Sequence, residues 1–194
     1  AGVYSVDITD GNGCTLTEFI TITEPLAIST ITSQNNISCF GYSDGSISLA
    51  INGGIPDYTI NAAGYSQTLV GGVSSFTTPS LLPNGTYPYT VTDSNGCVYN
   101  NTITLTSPNQ ISTTEITNNV SCNGFSDGSV VLTINGGTPN YSEDWGLNNP
   151  LALSLGIANY LITDNNGCVY SDSVVITEPN LLTTTFTQTN VSTC

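Results

Sequence analysis

Any chemistry in this 194-residue chain must come from six cysteines, 14 carboxylates and many hydroxyls, because Lys, Arg and His are all absent. A Ser, Thr or Tyr nucleophile needs a neighbouring base, and no imidazole or amine side chain is there to serve. Cys14, Cys39, Cys97, Cys122, Cys168 and Cys194 have no cationic side chain beside them to favour the thiolate. They form no C-x-x-C pair, and without His they make a poor zinc site. Paired carboxylates can hydrolyse glycosides. The only adjacent pair here is Glu143-Asp144, and neighbours along a strand face opposite ways. These residue types point to a non-catalytic chain with no cofactor, Ca²⁺ being the one ion its oxygens would suit.

The charge balance removes partners as well. At a net charge of −14 the chain cannot neutralise phosphates, so nucleic acid is excluded. It offers no polybasic patch to a membrane and no apolar run long enough to span one, so no membrane insertion is expected of this segment. It is not a disordered acidic chain either, because 38% of residues are hydrophobic and only 7% are charged. Thr, Ser and Asn beside Ile, Val, Leu and Tyr favour strands and turns. An even cysteine count without a metal motif reads as disulfides in an oxidising compartment. With no signal peptide, and a start inside the strand-like AGVYSVDITD, the chain reads as a piece of a longer secreted protein.

The elements that position these groups recur along the chain. SCFGYSDG (38–45) matches SCNGFSDG (121–128), and NGGIPDY (52–58) matches NGGTPNY (135–141). DSNGCVY (93–99) matches DNNGCVY (164–170), with DGNGC (10–14) a third copy. ITEP (22–25), LTSP (105–108) and ITEP (176–179) follow each time. The period is 83 residues from Cys14 to Cys97 but 71 from Cys97 to Cys168. The surplus falls between N-G-G-x-P and D-x-N-G-C, where segment 64–84 reads as a long loop. Period-2 patterning in GSISLAIN, GSVVLTIN, TYPYTVTD and ANYLITD, with Asn-Gly turns, predicts many short strands. The expected fold is all-β, a tandem of immunoglobulin-like β-sandwich domains.

The ordered set C-x-G-x-S-D-G-S, G-G-x-P-x-Y, G-x-Y-x-x-x-V-T-D and D-x-N-G-C resembles the SprB-type repeats of Bacteroidota surface proteins, gliding-motility adhesins among them. The resemblance covers nearly the whole chain. It implies a tandem array of β-sandwiches displayed on the cell surface after type IX secretion. Trp145 takes the place of the aromatic that often follows P-x-Y in that family, where the first copy has Asn61-Ala62. The expected division is 1–24 as the last strands of one repeat, 25–107 and 108–178 as full repeats, and 179–194 as the first strand of another. If the Pro segment is instead a hairpin, 179–194 closes the preceding repeat.

Each candidate site residue has a plain reading beside its functional one. Asp44 and Asp127, in S-D-G-S, read as Asx-type turn residues, with Ca²⁺ ligation as the rival. Asp10, Asp93 and Asp164 read as caps of the Asn-Gly turns, with Asp93 and Asp164 as further Ca²⁺ candidates. Tyr58, Tyr141 and Trp145 read as core fillers, with a sugar-binding platform as the rival. Ser173, in Asp172-Ser173-Val174, fits a Bacteroidota O-glycosylation pattern and equally an ordinary strand.

The cysteines follow a rule of spacing. From each D-x-N-G-C cysteine to the next cysteine the distance is 25, 25 and 26 residues, with Pro25, Pro108 and Pro179 near the midpoints. If the chain reverses at the Pro, the favoured pairs are Cys14–Cys39, Cys97–Cys122 and Cys168–Cys194, with strand register setting the spacing. One rival joins Cys39–Cys97 and Cys122–Cys168. The other is an inter-domain staple such as Cys39–Cys168. The leading function is a disulfide-stabilised stalk or fibre outside the cell. Its expected partners are neighbouring repeats and other copies in a filament. The alternative is an adhesive module binding surface glycans through loops such as 64–84.

Overall fold

The computed structural model describes residues 1–190, and every regular element in them is a β-strand. The chain divides into two compact units, Ala1–Ile37 with Ser43–Thr106 and Ser38–Tyr42 with Ser107–Cys194. Compared with cuts at 24 and 107, residues 1–24 fall in the first unit and residues 38–42 in the second.

The first unit holds β1 (Gly2–Thr9), β2 (Thr15–Ile22), β3 (Ser29–Asn35), β4 (Ser46–Asn52), β5 (Tyr58–Ala62), β6 (Tyr65–Leu69), β7 (Ser75–Thr77), β8 (Gly85–Thr92) and β9 (Val98–Leu105). One antiparallel sheet has the order β3-β4-β7 and a second the order β6-β5-β8-β9. Alternate residues of these strands point inward. Ile47, Leu49 and Ile51 of β4 join Ile60 of β5, Tyr89 and Val91 of β8 and Leu105 of β9 in one buried cluster. A hydrogen bond of 2.6 Å between the Thr30 and Tyr89 hydroxyls links the two sheets of this sandwich.

Strands β1 and β2 pair in the same register as β8 and β9, with Gly2 opposite Ile22 as Gly85 is opposite Leu105. Their inward positions, however, are uncovered. Ile8 and Ile22 are 55% and 53% exposed, where their counterparts Val91 and Leu105 are 0% and 1%.

The second unit holds β10 (Ser112–Asn118), β11 (Ser129–Asn135), β12 (Ser142–Asp144), β13 (Gly156–Thr163) and β14 (Val169–Ile176), in sheets β10-β11 and β12-β13-β14. Its core gathers Ile111, Val130, Trp145, Tyr160, Ile162, Val174 and Ile176, together with Cys39. The all-β fold expected from the sequence is the one the chain adopts.

Two expectations are corrected. The chain does not reverse into a hairpin at the Pro segments. β2 pairs with β1 and β9 with β8 across their Asn-Gly turns, while β3 pairs with β4 and β10 with β11. The strands on either side of Pro25 and of Pro108 thus belong to different sheets and never oppose each other. Segment 64–84, expected as a loop, contributes β6 and β7, which join β5 and β4. The turn at Ala63-Gly64, both at positive φ, sends YSQTL back along β5. The segment that lengthens the first repeat therefore adds two short strands, and the second repeat lacks them.

The N-G-G-x-P-x-Y motif is explained by close packing at the end of β4 and of β11. Gly53 and Gly136 have φ of 73° and 75°, and a Cβ at either would lie 2.2 Å from the Ala27 carbonyl oxygen or 2.0 Å from that of Gln110. The motif's Tyr58 and Tyr141 donate their hydroxyls back to the Gly53 and Gly136 carbonyls. Gly136→Ala should therefore cost more than the ~1–2 kcal/mol of a left-handed non-glycine residue, because backbone must also move. Gly146→Ala, at φ 61° with open space around it, should cost only that first amount. Urea unfolding of both variants checks the difference.

Candidate functional site

The D-x-N-G-C turn is built the same way in all three copies. Asp10 N, Asp93 N and Asp164 N donate to the carbonyls of Cys14, Cys97 and Cys168 at 2.9, 3.0 and 3.0 Å. Gly13, Gly96 and Gly167 take φ of 87°, 82° and 81°, the left-handed geometry that favours glycine. Each Asp carboxylate accepts the cysteine's own N–H, at 2.8 Å for Cys14 and 2.9 Å for Cys97 and Cys168. The turn thus fixes where each cysteine starts.

In the two full repeats the same carboxylate reaches the Gly-Gly motif as well. Asp93 accepts Ile55 N at 2.9 Å and Asp164 accepts Thr138 N at 2.7 Å. Both carboxyls are held below the usual value. For Asp93 the Ile55 N–H is the largest cause, and the Cys97 and Asn95 N–H groups add to it against the effect of burial. For Asp164 burial pushes upward most strongly, and the N–H groups of Thr138, Cys168, Asn166 and Gly167 together outweigh it. Asp127 is likewise lowered, first by the Ser121 hydroxyl and then by the Ser121 N–H. Asp44 lies half-buried ahead of β4. Among the described residues no cluster of three or more His, Cys, Asp or Glu could hold a metal ion. The Ca²⁺ candidates Asp93, Asp127 and Asp164 each serve as acceptors for nearby N–H and O–H groups.

The C-x-G loop is the second recurring piece. Tyr42 N donates to the Cys39 carbonyl and Phe125 N to that of Cys122, both at 3.1 Å, with Gly41 and Gly124 at φ 79° and 81°. The first loop and the second Asn-Gly turn meet in a disulfide, Cys39–Cys168, with Cα atoms 5.6 Å apart. Both cysteines are buried, and Asn166 Nδ2 donates to the Ser38 carbonyl and to Thr138 Oγ1, each at 3.0 Å. A cleft of about 160 Å³ beside the bond is lined by Phe40, Tyr42, Ile111, Val169 and Tyr170.

This bond corrects the favoured pairing, since Cys39 and Cys168 are spent on each other and cannot form Cys14–Cys39 or Cys168–Cys194. Cys97–Cys122 is not formed, and Cys14, Cys97 and Cys122 are free and exposed. Cys194 lies outside the described residues. The hairpin that would have set one cysteine against the next does not exist, so the even spacing has another cause. Sequence reasoning missed Asn166, which orients the loop. Its presence in every D-x-N-G-C copy, as Asn12, Asn95 and Asn166, was the available signal.

The aromatic candidates are inside. Tyr58 and Trp145 are buried, Tyr141 is half-buried, and Trp145 packs on Tyr160 with ring centroids 4.9 Å apart. Ser173 is exposed on β14. Of the Glu143-Asp144 pair, Glu143 accepts Trp145 Nε1 and Asp144 accepts Gly146 N.

A carboxyl whose folded pKa is depressed stabilises the fold above its unfolded value, near 3.8, and that contribution is lost as pH falls through the folded value. The melting temperature should therefore hold level from pH 8 to about pH 5 and fall below about pH 4. Asp164→Asn should lower it by several degrees at pH 7 and make the acid fall shallower. Calorimetry from pH 2 to 8 on both proteins checks this.

No curated protein matches the chain. The protein-family model described as the SprB repeat matches it twice, at residues 31–64 and at residues 114–145, which spans β3 to the β5–β6 turn in one copy and β10 to Trp145 in the other.

Proposed function

We propose that this chain is a structural, non-catalytic segment of a long secreted fibre or adhesin stalk on the cell surface. The observation that carries the reading is that the recurring motifs are consumed in building β-rich units and in joining one motif set to the next. Gly-Gly, Asp and Tyr lock each repeat, and Cys39–Cys168 bonds the C-x-G loop of one motif set to the Asn-Gly turn of the following set. The SprB-repeat match supports a cell-surface repeat protein. Type IX export from a Bacteroidota cell and an adhesive role belong to the finer reading. The acidic surface fits it, since like-charged domains repel within a Debye length of about 8 Å at physiological salt.

Immunogold labelling of intact cells with antibody to this chain, followed by negative-stain imaging, tests the proposal. Label along thin surface filaments is the expected result, and label confined to the cell interior would refute it. The composition makes a separate prediction. Trypsin should leave the chain intact even in urea, because it contains no Lys or Arg. Asn148→Lys, in the exposed turn after β12, should be cut at that point in the native protein.

A further inference from the structure

Three cysteines stand in geometry that matches the bonded pair yet carry free thiols. Cys97 and Cys14 sit in Asn-Gly turns with the same hydrogen bonds and the same glycine conformation as Cys168. Cys122 sits in a C-x-G loop with the same closing bond and glycine conformation as Cys39. What differs is cover. Cys39 and Cys168 are 5% and 8% exposed, whereas Cys14, Cys97 and Cys122 are open to solvent. The loop is also prepared in advance, because Asn123 Nδ2 and Gly124 N donate to the Glu178 carboxylate, each at 2.8 Å.

The two kinds of half-site cannot meet within one repeat. The C-x-G loop precedes β11 and the Gly-Gly turn follows it, and Asp164 ties that turn to Cys168. The seven residues of β11, at about 3.3 Å each, separate the two ends by roughly 20 Å. A disulfide needs Cα atoms within about 7 Å.

We infer that Cys39–Cys168 is one link of a continuous ladder, in which the C-x-G cysteine of every repeat bonds the D-x-N-G-C cysteine of the next repeat in the same chain. Cys122 is the donor half of a link to a following repeat, and Cys97 and Cys14 are the receiving halves of links from preceding ones. The inference rests on the array reading proposed above. Each link forms by thiol–disulfide exchange. The two thiols give two hydrogens and two electrons to a disulfide-bearing oxidant of the oxidising compartment. Its S–S bond breaks to a dithiol as the protein S–S bond forms. The Asn of the turn then takes the Ser carbonyl ahead of the loop cysteine, as Asn166 takes Ser38. Ser121 supplies that carbonyl ahead of Cys122.

The test uses the full chain and an extended chain in which residues 108–178 are duplicated in tandem. Both are produced under oxidising conditions, alkylated, and mapped without reduction after cleavage at acidic or aromatic residues. In the 194-residue chain Cys122 should be alkylated and Cys39–Cys168 formed. In the extended chain the first Cys122 should be protected and linked to the Cys168 of the added copy. Cys168→Ser in the added copy should return it to full alkylation. A first Cys122 that stays alkylated, pairs with Cys97, or links only between chains would overturn the ladder, as would absence of Cys39–Cys168 itself. Surface filaments seen by imaging in that case would leave the array reading standing without the ladder.

Discussion

The carboxylate of the D-x-N-G-C aspartate is the interaction on which each repeat depends. Asp93 and Asp164 accept two N–H groups from their own turn and one from a Gly-Gly turn 38 or 26 residues earlier. A buried carboxylate with no cation near it must be solvated by oriented N–H dipoles. The tight turn, with glycine in the left-handed region, aims two of them at one point, and the Gly-Gly motif supplies the third. The requirement explains why the Asn-Gly turn, the Gly-Gly turn and the Asp recur together. It also places the cysteine, whose N–H is among the dipoles.

The rest of the chain meets the same constraint with neutral donors. Tyr160 donates to Glu115, Tyr170 to Asp172, Ser121 to Asp127 and Trp145 to Glu143. Burial, followed by the Glu115 bond, pushes the Tyr160 phenol well above its usual range, so it stays a donor. Among the described residues the only ion pair is the exposed N-terminus with Glu24, 4.0 Å apart. Hydrogen bonds from neutral donors to a carboxylate are stronger than those between neutral groups and need no cation beside them. A chain without Lys or Arg gives up little stability by using them.

The strands and most turns were legible because their signals are local. Alternation in SISLAIN and GIANYLIT, with glycine where φ must be positive, specifies element and register together. The core role of Tyr58, Tyr141 and Trp145 was legible for the same reason. The cysteine pairing was not, because a fixed spacing can arise in two ways. A hairpin would set it by register, but two independent turns joined by strands of repeated length set it equally well. Here the run from Cys14 to Cys39 contains β2 and β3, which belong to different pairings. Segment 64–84 misled because Gly64, Gly71 and Gly72 read as loop while flanking two short strands, one paired with the adjacent β5 and the other with β4 in a different sheet.

The staple's place in the chain matters more than its local contacts. Cys39–Cys168 spans a sequence separation of 129 residues. In the chain-entropy model, closing so long a loop stabilises the fold by on the order of 5 kcal/mol, against about 3 for loops the length of the favoured pairs. Its mechanical effect is larger. Tension applied along the chain enters at one sulfur and leaves at the other, so everything between residues 39 and 168 is bypassed. At about 3.5 Å per extended residue, roughly 450 Å of chain cannot be drawn out while the bond holds. Noncovalent repeats resist stretching only as strongly as the weakest sandwich, since each touches only its neighbours. With Cys39–Cys168 formed, the strands between the two cysteines lie off the load path behind a covalent bypass. A sandwich as small as the second unit, with five strands among the described residues, then need not bear the load alone.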